Sequence, residues 1–111
     1  MSRRGWQVAF ALACVVNVVV LYSPDSGPSS IPYADKVVHV LVFAAVAYTG
    51  AMLRLPRGWL VAVLLLNAVA SELVQHYWLS QRSGDVFDAV ADITGVALGV
   101  WLATARRTRT T

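Results

Sequence analysis

Acidic and histidine side chains recur at helical spacing in three places along this sequence. Asp35 and His39 are four residues apart, Glu72, Gln75 and His76 fall three and four apart, and Asp85, Asp88 and Asp92 repeat the interval. Residues at that spacing share one face of a helix, so each set presents its polar groups together. A carboxylate beside an imidazole is the material of acid–base chemistry, with one group taking a proton and the other giving it. Lys36 and Arg82 are cations suited to an anionic group, and the arginine can contact a phosphate with two parallel bonds. His39, Glu72, His76, Asp88 and Asp92 are also metal-ligand types, but no spacing among them is a metal motif of its own. No metal and no other cofactor is therefore assigned. Ser71 and Ser83 are available hydroxyls without a recognisable nucleophile motif, which leaves open whether any reaction is catalysed.

The elements that must hold these groups are apolar. Of 111 residues, 58% are hydrophobic and 14% charged, whereas a soluble domain runs nearer half and a quarter. A disordered chain would need far lower hydrophobicity, and a single cysteine, Cys14, excludes a disulfide scaffold. The net charge of +3 lies between apolar blocks rather than along one basic face, so no nucleic-acid partner is expected. Four segments reach the roughly 17 to 25 mostly apolar residues that span a bilayer: about 5–22, 37–53, 59–79 and 86–105. The expected fold is all-α, one integral membrane domain over residues 1–111, built as a transmembrane bundle of four antiparallel helices. The first segment follows Arg3 and Arg4, but it is longer than a typical signal-peptide core and its end, Leu21-Tyr22-Ser23-Pro24, offers no small-x-small cleavage site, so it is read as a retained helix rather than a signal peptide. Arg54-Leu55-Pro56-Arg57-Gly58 is a tight connection that makes a hairpin of the second and third helices.

Charge sets the orientation. With the N-terminus inside, Arg3, Arg4, Arg54, Arg57, Arg106, Arg107 and Arg109 fall on the inner side and only Lys36 and Arg82 on the outer, seven against two. Basic residues accumulate on the cytoplasmic side, so N-in and C-in is expected. All six acidic residues then lie in outer loops or outer helix halves. Trp6, Trp59 and Trp101 mark the inner boundary, and Tyr22, Tyr33, Tyr77 and Trp78 the outer one.

Within that frame the polar groups converge. His39 lies a few ångströms inside the outer end of its helix, and Glu72 and Asp92 each lie roughly 9 Å deep at 1.5 Å of rise per residue. Ionisable groups at such depth mark a functional site by default. Gly95 and Gly99 continue the Asp88–Asp92 stripe, and a small-x-x-x-small surface lets another helix approach closely. The stripe is therefore expected to point into the bundle, against the second or third helix. Asn17 and Asn67 are read as hydrogen-bonded stitches between helices, and Cys14 as a small apolar filler.

Three blocks stand in order: Asp35-Lys36-Val37-Val38-His39; Ser71-Glu72-Leu73-Val74-Gln75; and Arg82 followed by Asp88-Ala89-Val90-Ala91-Asp92-Ile93-Thr94-Gly95, with Gly99 beyond. The order D-K-x-x-H, E-x-x-Q, R, D-x-x-x-N-x-x-G resembles the VanZ-like family of small bacterial membrane proteins. The resemblance covers about residues 35–99, and the first helix carries no family motif. Val40 stands where the family commonly has Phe, and Asp92 where it commonly has Asn. The resemblance implies a multi-pass protein of the bacterial cytoplasmic membrane and cell envelope, linked to resistance to the glycopeptide teicoplanin. It also transfers Asp35, Lys36, His39, Glu72, Gln75, Arg82, Asp88 and Asp92 as motif positions.

Two functions are expected from different classes. In the first, an outward-facing site binds or processes an anionic lipid or a lipid-linked cell-wall intermediate. There His39, Glu72 and Asp92 would be the acid–base groups. Asp35, Lys36, Gln75, Arg82 and Asp88 would bind the ligand, at the positive N-terminal ends of the second and fourth helices. In the second, the chain is a non-enzymatic module that stabilises or regulates a homo-oligomer or larger envelope complex, with Gly95 and Gly99 serving helix packing.

Overall fold

The computed structural model describes residues 2–22, 34–77 and 86–109. These form four helices and no strand: α1 (Arg3–Tyr22), α2 (Ala34–Met52), α3 (Arg57–Tyr77) and α4 (Val86–Arg109). The all-α expectation holds, and the boundaries shift for local reasons. Ser2 caps α1 by accepting a hydrogen bond from the Gly5 amide at 3.1 Å, so the helix starts two residues earlier than the apolar run. α3 begins directly after Pro56, whose carbonyl accepts the first helical bond from Leu60 at 2.9 Å. α4 continues through its basic residues to Arg109, because arginine is a good helix former and favours the negative C-terminal end. The expected continuation of α3 to residue 79 lies outside the described residues.

Among the described residues, three helices are long and apolar enough to cross a membrane, over Arg3–Tyr22, Arg57–Val74 and Ala89–Arg106. Among the described side chains, the apolar part of α2 runs Lys36–Met52, about 26 Å by helical rise. It ends at the turn into Arg54. That turn is a Schellman motif. Arg54 adopts φ 62°, its amide bonds the Ala51 carbonyl at 3.0 Å, and the Leu55 amide bonds the Gly50 carbonyl at 3.2 Å.

α2 is the hub of the bundle, and its tightest partner is α4. An added Cβ at Gly95 would stand 2.9 Å from the Phe43 Cβ and against the Val40 carbonyl; at Gly99 it would stand 2.8 Å from the Ala47 Cβ. Only glycine permits backbones to meet this closely. Residue numbers rise together along the seam, with Asp92 at His39, Gly95 at Phe43 and Gly99 at Ala47. The packing face expected from the glycine stripe is thus real, and α2 is the helix it meets. Around the seam, Phe43, Val46, Ala47, Leu64, Ala68, Val96 and Ala103 make a core of mostly small side chains. Val8, Leu12, Val15 and Val19 of α1 are exposed, as a lipid-facing surface requires.

Two polar clusters fasten the rest. Tyr22 donates its hydroxyl to Asn67 Oδ1 at 2.8 Å, Asn67 donates to Asn17 Oδ1 at 2.9 Å, and Asn17 donates to the Val42 carbonyl at 3.3 Å. The stitching role read for each asparagine is therefore shared in one chain of bonds through α1, α2 and α3. Elsewhere Arg106 donates to the Tyr48 hydroxyl at 2.8 Å and lies 5.6 Å from the centre of the Trp6 ring. Trp6 meets Tyr48 edge to face at 5.7 Å, and Arg57 donates to Thr104 at 3.1 Å.

Candidate functional site

His39 reaches the interior because α2 turns its Phe43–Ala47 face to the α4 glycines, and His39 lies one turn before Phe43 on that face. Asp92 lies one turn before Val96 and three residues before Gly95 on the matching face of α4. The close helix contact brings the two side chains together. His39 Nδ1 and Asp92 Oδ1 are hydrogen-bonded at 2.6 Å, with residue exposures of 1% and 0%. An ionised Asp92 takes the Nδ1–H as donor, which fixes the ring tautomer and leaves Nε2 as the proton-accepting nitrogen. Glu72 comes from α3. Both of its carboxylate oxygens are buried, as are His39 Nε2 and Asp92 Oδ2. One ligand atom each from His39, Glu72 and Asp92 lies within 4.8 Å of the other two.

Three helices thus deliver an imidazole and two carboxyl groups to one point inside an apolar bundle. The arrangement can pass a proton, because Nε2 can accept one while the Asp92 carboxylate stabilises the imidazolium so formed. Desolvation makes the pairing consequential: breaking a buried pair by removing one partner costs about 3–5 kcal/mol.

Of the positions singled out in the sequence, His39, Glu72 and Asp92 meet. Lys36 is half-buried on α2, three residues before His39. Arg82 lies outside the described residues, as do the side chains of Asp35, Gln75, His76 and Asp88. Ser71 is fully buried, and its hydroxyl donates to the Ala68 carbonyl at 2.9 Å, which occupies it within its own helix. Tyr48 escaped sequence reading, since a lone tyrosine in an apolar helix carries no spacing signal; its partners Arg106 and Trp6 come from the far ends of the chain.

Hollows on the helix surfaces are found among the described residues. An apolar groove of about 320 Å³ runs between α3 and α4, lined by Val61, Leu65, Ile93, Val96, Ala97, Val100 and Trp101. Its Ile93 end adjoins Asp92 in sequence. A second, of about 510 Å³, is lined by Tyr48, Trp101, Leu102, Ala105 and Arg106.

No family model, no curated protein and no solved structure matches the chain.

Proposed function

We propose that the chain is a VanZ-like protein of the bacterial cytoplasmic membrane that binds the anionic head group of a lipid or lipid-linked cell-wall intermediate at the His39–Glu72–Asp92 site. The observation that carries the reading is the 2.6 Å bond between His39 and Asp92, both buried, with Glu72 converging on them from a third helix. A carboxylate that orients an imidazole is the arrangement of a positioned base. The α3–α4 groove is apolar and suits an acyl or prenyl chain. With the chain N-in and C-in and successive helices antiparallel, on the seven-to-two basic asymmetry, the site faces the extracytoplasmic leaflet. Lys36 and Arg82 then lie on that side to attract a phosphate. The same placement fits a role in the cell envelope and a contribution to glycopeptide resistance.

The test is lipid retention. Full-length protein is purified in mild detergent and its bound lipids are identified by mass spectrometry, with His39→Gln and Glu72→Gln alongside. A polyprenyl-phosphate or acidic phospholipid held by the wild type and lost from both variants supports the reading. Equal retention by all three refutes it.

A second reading, a non-enzymatic module of an envelope complex, is favoured by the Tyr22–Asn67–Asn17 chain, in which this bundle already uses buried polar groups for cohesion. Under that reading the His39 and Glu72 variants lose stability and leave the bound lipid unchanged.

A further inference from the structure

We propose that His39, Glu72 and Asp92 form a divalent metal site, with Zn²⁺ the favoured ion. The inference deepens the head-group reading and rests on it for the ion's purpose, because a dication joins carboxylates to a phosphate that they would otherwise repel.

The donor set is the first argument. An imidazole nitrogen and carboxylate oxygens are donor types that Zn²⁺ accepts, and three protein ligands leave the fourth position of a tetrahedral ion for water or substrate. Mg²⁺ and Ca²⁺ prefer six or more oxygens, and a nitrogen donor with two carboxyl groups is a poor match for either. Distance is the second. Donors bound to one tetrahedral Zn²⁺ at about 2.0–2.2 Å stand about 3.3–3.6 Å apart. Here the three atoms lie within 4.8 Å of one another, so side-chain rotations that move the widest pair closer by about 1–1.5 Å bring the set onto one ion.

The third argument is how the donors are held. Each comes from a different helix, and two of those helices are locked by glycine contacts one and two turns away, at Gly95 and Gly99. Ligands on packed helices keep their spacing better than ligands on loops. Burial adds to this, since His39 and Asp92 are 1% and 0% exposed and the Glu72 oxygens are buried. A dry surrounding strengthens the attraction between a dication and carboxylates. Asp92 is the residue whose type matters most: an asparagine there keeps a neutral oxygen, while the aspartate supplies the second anionic ligand.

The experiment uses the full chain in detergent, stripped with chelator and dialysed against Zn²⁺, then analysed for metal by mass spectrometry. About one Zn²⁺ per chain is expected, with affinity lowered at least tenfold in His39→Gln, Glu72→Gln and Asp92→Asn and unchanged in Tyr22→Phe. Substitution of Co²⁺ into the wild type gives a reading independent of any variant's folding, and intense visible bands of a four-coordinate ion are expected. Failure to bind, binding unaffected by all three variants, or a pale six-coordinate cobalt spectrum overturns the metal site. Lipid retention in the chelated protein separates the two proposals. Lipid held by the chelated protein removes the ion's bridging role and leaves the head-group reading, and metal bound without lipid leaves the metal site and removes that reading.

Discussion

Gly99 of α4 rests on the backbone of α2: a Cβ at this position would stand 2.5 Å from the Ala44 carbonyl oxygen. Backbone cannot swing aside as a side chain can, so any larger residue must push the helices apart. Gly99→Leu is expected to destabilise the protein by at least the 1–3 kcal/mol typical of overpacking. Gly95→Ala should behave alike, while Gly58→Ala, with nothing within 4 Å, should be neutral or mildly stabilising. Thermal melts in detergent followed by circular dichroism measure all three.

The His39–Asp92 bond predicts strong coupling. His39→Ala and Asp92→Ala should each cost about 3–5 kcal/mol, because each leaves the other group buried and deprived of its bond. The double variant should cost much less than the sum. Additive effects in a double-mutant cycle would mean that the 2.6 Å contact contributes little to stability.

Along the other polar chain, Asn67 both accepts from Tyr22 and donates to Asn17, so it should matter more than either end. Asn67→Ala is expected to cost about 1–2 kcal/mol and Tyr22→Phe about 0.6 kcal/mol, the range for hydrogen bonds between membrane helices. Equal losses would show that the two bonds do not act through Asn67.

Arg54 holds φ 62°, a conformation that costs a non-glycine residue about 1–2 kcal/mol. Arg54→Gly should therefore raise the melting temperature. The retention of arginine there fits its charge, which under the proposed orientation anchors the α2–α3 turn on the inner face. A melt unchanged or lowered in Arg54→Gly would mean that the arginine offsets its own strain.

Orientation itself is tested by labelling. With Cys14 replaced, a cysteine at Ser26 should react with an impermeant reagent on intact cells and one at Thr108 should not. The reverse pattern would move the proposed site to the cytoplasmic leaflet.

Much of this was readable from residue order. Long apolar runs foretold all four helices, and the shared phase of Asp92, Gly95 and Gly99 foretold which face of α4 turns inward. Depth along the helix placed His39, Glu72 and Asp92 at a common level. Periodicity gives a helix its inward face but not the identity of the neighbour it meets. That is why the choice of α2 for the glycine seam, and the direct pairing of Asn17 with Asn67, needed three dimensions. Tyr48 lay beyond reach for the same reason, since its contacts to Trp6 and Arg106 join residues with no local pattern in common.

The site's division among three helices sets a timetable for making the protein. His39 and Asp92 are 53 residues apart in the chain, and at about 5–20 residues per second the ribosome delivers the histidine some seconds before the aspartate. Through that interval the nascent α2 must enter the membrane with its imidazole and wait for α4. A chain halted before residue 92 would offer an insertion or quality-control factor a polar face that the finished bundle hides. Completion of the last helix is thus the step that gives the waiting imidazole its carboxylate.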